Sequence, residues 1–361
     1  MRLLCAGALI AAAALAASCG SDATQAPNCP QPTLSFAVLP ATPAANTPTP
    51  FDAILQAAAA EFGVSTSMLK SIAYVETRWQ MVEGAEEFEG QPAAFGVMAL
   101  RGEKLRRGAA LAGVSVDAAR HDTLANIRAA AALLAAEGLE RFSGIDQPAA
   151  RLAYTRDVYQ ALGQPVAAAA MLDDQCPAPP GAAVDFATGL WRPSPNFNAR
   201  AADATGNIHM IIIHTCEGNY AGCWGWLANA ASEVSSHYVV NENGNEVTQL
   251  VREKDRAWHI GARYDCTLNA QHDCWLNNVQ SNHFTIGIEH AGYASQDSFP
   301  TAQLEQSAQL VCDISKRWAI PRDSLHVVGH GQVQPYNRTD PGPHWPWHRY
   351  IALIRGYCGD G

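Results

Sequence analysis

Two apolar runs, each closed by a histidine, constrain this chain more than any other feature. Ile208-His209-Met210-Ile211-Ile212-Ile213 ends at His214, and Leu325-His326-Val327-Val328-Gly329 ends at His330. Runs this short and this apolar predict buried strands. A polar residue at the exit of such a strand stands at the rim of a rigid scaffold, where chemistry is commonly held. Asp340 follows within Asn337-Arg338-Thr339-Asp340-Pro341-Gly342, so a loop must deliver it.

Two imidazoles and one carboxylate leave one position of a tetrahedral zinc open, the arrangement of a catalytic rather than a structural site. Such an ion would lower the pKa of a bound water and polarise a carbonyl beside it. On spacing alone the same three residues also read as ordinary hydrogen-bonding groups near turns. An iron oxygenase, which uses two histidines and one carboxylate, fits less well because its close histidine-x-acid pair is absent.

A chain of 361 residues exceeds the common size of one domain, so two are expected. A formal charge of -10, with Lys and Arg scarce and unclustered, excludes nucleic acid as the main partner, because no basic stripe is available to neutralise phosphates. A monomer is expected.

Residues 1–19 read as a signal peptide: Arg2 precedes an apolar stretch from Leu3 to Ala17, too short for a comfortable bilayer span. Ala16-Ala17-Ser18-Cys19 resembles a bacterial lipoprotein processing box, with Leu15 one place early, and implies a lipid anchor at Cys19; cleavage with simple secretion is the alternative. The expected location is the cell envelope, either membrane-anchored or periplasmic or secreted. Residues 20–50, rich in Ala, Thr, Pro and Asn, read as a flexible tether.

Export makes the cysteines legible as disulfides. Beyond Cys5 and Cys19 there remain Cys29, Cys176, Cys216, Cys223, Cys266, Cys274, Cys312 and Cys358. Sequence order leaves their connectivity open; short loops favour Cys216 with Cys223 and Cys266 with Cys274, and Cys312 with Cys358 would tie the last helices. No close Cys-x-x-Cys pair supports a zinc-thiolate cluster.

Residues 51–172 carry apolar residues at helical spacing, such as Ile54, Leu55, Ala58 and Phe62, then Met68, Leu69, Ile72 and Val75. Asp122 before Leu124 marks a helix start. The expectation is a small all-α domain. Tyr74-Val75-Glu76-Thr77, Ala94-Phe95-Gly96-Val97-Met98-Ala99-Leu100 and Asp122-Thr123-Leu124-Ala125-Asn126-Ile127 resemble the lysozyme-like lytic transglycosylase family. That resemblance puts Glu76 at the family's general acid and implies a second, glycan-cleaving activity. It departs from the family at Thr77 and Ala99, and Tyr154 is the nearest remnant of the expected tyrosine motif. A degenerate glycan-binding or spacer domain is the other reading. Glu76 also lies near the buried face of its helix, where desolvation would raise its pKa.

Residues 173–189 form a Pro- and Ala-rich linker, and residues 190–358 alternate strands and helices, predicting an α/β mixed sheet flanked by helices. Ser236 to Val240 and Glu246 to Leu250 flank Asn243-Gly244, a strong hairpin turn. Phe284 to Glu289 is another strand, and Thr301 to Trp318 a helix with Leu304, Ala308, Val311 and Ile314 on one side.

In this region Ile211-Ile212-Ile213-His214-Thr215, Ser236-His237-Tyr238, Ala257-Trp258-His259-Ile260-Gly261, Ile286-Gly287-Ile288-Glu289 and His330 through Arg338-Thr339-Asp340-Pro341-Gly342 resemble the zinc amidases of the N-acetylmuramoyl-L-alanine amidase type 2 family, which shares its fold with peptidoglycan recognition proteins. The resemblance implies one zinc ion at His214, His330 and Asp340. It implies that Glu289 takes a proton from the zinc-bound water and protonates the departing nitrogen. Arg338, where relatives commonly carry lysine, would stabilise the oxyanion or else pair with a nearby acid. His237, Trp258 and His259 are the expected substrate contacts, with His237 equally readable as a core residue, and Trp345-Pro346-Trp347 as a cleft wall. The implied substrate is peptidoglycan or its muropeptides, cut between the lactyl group of N-acetylmuramic acid and L-alanine. A non-catalytic peptidoglycan-binding protein is the rival reading.

Overall fold

The helical periods of the N-terminal half become α1 (Asp52–Phe62), α2 (Thr66–Thr77), α3 (Gly102–Ala112), α4 (Val116–His121), α5 (Thr123–Ser143) and α6 (Pro148–Leu162) in the computed structural model, which describes residues 44–88, 90–164 and 184–360. The signal segment, Cys19, Cys29, Cys176, most of the tether and most of the linker lie outside the described residues. Side chains that accept from exposed backbone N–H groups start the helices: Ser65 caps α2 and Asp122 caps α5. Alanine-rich faces let α3 and α5 approach closely. The domain is helical as expected, with one short antiparallel ribbon of β1 (Ala94–Phe95) and β2 (Leu100–Arg101).

The three motif segments of this domain meet. Asn126 accepts from the Met98 N–H at 2.9 Å and donates to Phe95 O and Ala119 O, while the Thr77 hydroxyl donates to Val97 O at 2.8 Å.

In the second half, β5 (Met210–Thr215) is the second strand of a six-stranded sheet ordered β10-β5-β9-β6-β7-β3. The other strands of the sheet are β3 (Leu190–Trp191), β6 (Tyr238–Val240), β7 (Val247–Gln249), β9 (Thr285–His290) and β10 (Val327–Gly329). β10, β5, β9 and β6 run parallel, and β6 turns antiparallel into β7 through Asn243-Gly244 as that dipeptide predicts. β4 (Phe197–Ala199) and β8 (Asp255–Ala257) form a separate ribbon. The helices α7 (Tyr220–Leu227), α8 (Thr301–Trp318), α9 (His330–Val333) and α10 (Trp347–Cys358) complete the domain. Leu304, Ala308, Val311 and Ile314 of α8 are buried against the sheet, as their spacing predicts.

All three disulfides read from the sequence are present: Cys216–Cys223, Cys266–Cys274 and Cys312–Cys358. Trp345, expected to wall a cleft, instead lies in the core against His290, Phe299 and Tyr350, because the chain turns inward there to start α10.

The two halves are not separate beads. Ala150, Ala153 and Tyr154 of α6 and Tyr220, Trp224 and Leu227 of α7 belong to one buried apolar cluster. Each large side chain fully buried there contributes about 1.5–3 kcal/mol. The helical domain is therefore fixed on the α/β domain near the end of its parallel strands.

Candidate metal centre

Parallel register sets the site. β5 and β9 place His214 directly beside Glu289, and β10 pairs Gly329 with Ile213, so His330 emerges next to His214 as α9 begins. The backbone N–H of Gly331 donates to Asp340 O at 2.8 Å, which draws the intervening loop back and returns Asp340 to the same point. Crevices beyond the carboxyl ends of parallel strands are where open α/β sheets bind ligands.

A chain of hydrogen bonds fixes which nitrogen of each histidine faces this point. The Thr285 hydroxyl donates to Ser281 O at 2.9 Å, so toward His259 Nε2, 3.1 Å away, it must accept. His259 therefore carries its proton on Nε2 and accepts at Nδ1 from His214 Nε2, at 3.0 Å. His214 is left with a lone pair on Nδ1. Gln334 Oε1 accepts from the Ala262 N–H at 3.0 Å, which identifies it as the amide oxygen, and it lies 3.2 Å from His330 Nε2. His330 thus donates from Nε2 and also keeps a lone pair on Nδ1. Gly287 on β9 makes room for this relay, since a Cβ there would lie 2.5 Å from the His259 ring.

The two Nδ1 atoms are 3.0 Å apart, and Asp340 brings Oδ2 to 3.3 Å from one and Oδ1 to 3.2 Å from the other. Neither Asp340 oxygen has a hydrogen-bond donor although both are buried. Lone pairs without donors, converging in a dry place, fit a cation. Ligands about 2.0–2.1 Å from a tetrahedral zinc stand roughly 3.3 Å from one another, close to these separations.

Three charged groups surround that point. Glu289 is buried, both of its oxygens lack a partner, and Oε1 is 4.0 Å from His214 Nδ1. Burial first, then the charges of Glu87 and Asp340, pushes its carboxyl well above the usual range. Arg338 Nε faces Glu87 Oε2 at 3.5 Å. Glu87 itself enters from the helical domain: its Oε1 is 3.1 Å from His330 Nδ1 and 4.0 Å from His214 Nδ1. Among the described residues Glu87, His214, His330 and Asp340 form one buried cluster. Burial, and after it the charge of Asp340, raises the Glu87 carboxyl to about 8.

Sequence reasoning missed Glu87. Its only signal is the acidic run Glu83-Gly84-Ala85-Glu86-Glu87, which by itself reads as a solvated loop.

Other expected contacts move. His237 is fully buried; it accepts from the Gly287 N–H at Nδ1, and its Nε2 faces Asp255 O at 3.1 Å, so it supports the sheet instead of meeting substrate. His259, with 7% exposure, is spent on orienting His214. Trp258 turns toward the β4–β8 ribbon, where its indole donates to Asn198. Glu76 is buried near the α6–α7 contact, and Tyr154, Asn219 and Lys104 converge on it at 2.8, 2.9 and 3.7 Å. Its carboxylate accepts two hydrogen bonds and faces one ammonium, which the helix spacing alone could not disclose.

A family model described as N-acetylmuramoyl-L-alanine amidase matches residues 204–343. N-acetylmuramoyl-L-alanine amidase A of Achromobacter lyticus is 33% identical over 196 residues, covering 49% of this chain and 99% of that protein. The 1,6-anhydro-N-acetylmuramyl-L-alanine amidase AmpD of Citrobacter freundii is 27% identical over 180 residues, covering 45% of this chain and 88% of that protein. A solved selenomethionine derivative of AmpD aligns over 47% of this chain and 96% of its own, with a TM-score of 0.37 and 26% identity. A relative matched over nearly its whole length at this identity establishes that the chain belongs to the N-acetylmuramoyl-L-alanine amidase family.

Proposed function

We propose that the chain is a zinc-dependent hydrolase of the amide between the lactyl group of N-acetylmuramic acid and L-alanine in peptidoglycan or muropeptides, with His214, His330 and Asp340 holding the ion. The observation that carries this reading is the convergence of two tautomer-fixed Nδ1 lone pairs on a carboxylate that no donor satisfies. Zinc bound there supplies Lewis acidity, lowering the pKa of a coordinated water toward neutrality and polarising a carbonyl.

The chain's own residues do the remaining work. Glu289, unpartnered and close to His214, accepts a proton from the attacking water and returns it to the departing L-alanine nitrogen. Arg338, with 22% side-chain exposure, offers a permanent positive charge to the oxygen of the carbonyl as it becomes an oxyanion. His259 and Gln334 keep the ligating nitrogens deprotonated and aimed. Muropeptide mass analysis tests the proposal: free stem peptides from zinc-loaded protein support it, and intact muropeptides at full zinc occupancy from both the wild type and a variant without the Glu87 carboxylate would overturn it.

The helical domain is, in this proposal, a lysozyme-like scaffold serving as a cover and not as a second enzyme. Its converging motif segments support the scaffold, and the Asn219 amide that reaches Glu76 from the α/β domain supports the cover. Three disulfides suit an oxidising compartment and support a reaction outside the cytosol. No helix among the described residues is long and apolar enough to cross a membrane. A lipid anchor at Cys19 would hold the enzyme at a membrane surface.

A further inference from the structure

The loop between α2 and β1 leaves the helical domain and enters the end of the parallel sheet. It is fastened there at several points. Asp297 N–H donates to Gln80 Oε1 at 2.8 Å, Glu83 N–H to Ser295 Oγ at 3.1 Å, and Ala85 N–H to Glu217 Oε2 at 2.8 Å. Val82 packs with Ala94, Ala99 and Tyr293 in a small buried cluster that straddles the two domains. Gly84 permits the close approach, because a Cβ there would lie 2.8 Å from Ala94 O and 2.9 Å from Ala94 N. These fastenings place the Glu87 carboxylate 3.1 Å from His330 Nδ1, and its other oxygen 3.5 Å from Arg338. Glu87 is 5% exposed, and its Oε1 faces the same point as the His214 and His330 Nδ1 lone pairs, where a cation would favour its charged form.

We propose that Glu87 is a fourth protein ligand to the metal, so that the helical domain completes the metal site and holds the enzyme closed until the segment from Gln80 to Glu87 withdraws. The inference rests on the zinc reading of His214, His330 and Asp340. It assigns to Glu87 the place that a catalytic zinc otherwise leaves open to water or a carbonyl; four protein ligands make a closed site. The same carboxylate occupies Arg338, the cation meant for the oxyanion, so one movement frees both groups. Gly84 and the Val82 cluster set how tightly the plug is held.

The test uses the full chain loaded with zinc. Zinc content is measured first, then the rate of transfer to a competing chelator, then hydrolysis of a muropeptide, for the wild type, Glu87→Gln, Glu87→Ala and Gly84→Ala. The expected result is one zinc per chain in each, transfer about tenfold or more faster in the three variants, and faster hydrolysis. Gly84→Ala reaches the same outcome without touching a ligand. Unchanged transfer rates in both Glu87 variants would overturn the inference while leaving the three-residue site intact. Slower hydrolysis in correctly loaded Glu87→Gln would overturn the closing role. A wild type that binds no zinc would instead overturn the underlying metal reading.

Discussion

His214 Nε2 lies 3.0 Å from His259 Nδ1, and this contact decides which face of His214 is free for a metal. The proton order runs outward from the site through His259 and Thr285 to Ser281 O. Replacing His259 by Phe removes the acceptor and strands a buried N–H on His214. Zinc affinity should fall about 10- to 100-fold, as for other groups that orient ligands. Competition with a chelator measures it, and an unchanged affinity would mean that His259 does not set the tautomer.

Glu289→Gln keeps the shape of the side chain and removes its ability to carry a proton. Amide cleavage should drop by about 10²- to 10⁴-fold with zinc content unchanged. Product mass analysis alongside metal analysis separates the two quantities. Normal turnover would remove Glu289 from the mechanism, and loss of zinc would make it a ligand instead.

His214 and Glu289 are each legible as a polar residue closing a strand, but only the parallel register of the sheet puts those strand ends side by side. Asp340 was legible as a loop residue through the motif around it. Glu87 and Glu217 were not, because Glu87 meets His330 and Glu217 meets Ala85 across the domain boundary, and no local period points at them. His237 and His259 were visible as histidines near the site. Only the hydrogen-bond network shows that they support it from behind. The extent of contact between α6 and α7 was equally hidden, since an amphipathic helix does not name what covers its apolar face.

Glu217 ties residues of both domains: its carboxylate accepts from Ala85 and Ala294 N–H groups at 2.8 and 2.7 Å. Burial outweighs these bonds and pushes the carboxyl up to about 7 from an ordinary 4.5. The folded chain then holds a proton that the unfolded chain has lost between those values. Its contribution to stability is present below pH 4.5 and is lost as pH rises through 7, by about 3 kcal/mol. Glu217→Gln cannot titrate, so the melting temperature of metal-free Glu217→Gln should fall less steeply with pH across this window than that of the wild type. Parallel curves would show that Glu217 does not titrate there.

Glu76 gives the clearest separation between a second catalytic centre and a cover. Its oxygens are held by the Tyr154 hydroxyl at 2.8 Å and by the Asn219 amide at 2.9 Å, the latter from the α/β domain. Lys104, half-buried beside it, loses its counter-charge if Glu76 becomes Ala. Hydrogen bonds to a charged group are each worth about 1.5–3 kcal/mol, so Glu76→Ala should destabilise the chain by several kcal/mol. The isosteric Glu76→Gln retains much of the packing and serves as the catalytic control. With peptidoglycan as substrate, the wild type and Glu76→Gln should release the same products, free stem peptides without anhydro-sugar ends. Anhydro ends made by the wild type and absent from a folded Glu76→Gln would establish a glycan-cleaving centre and end the description of this domain as a cover.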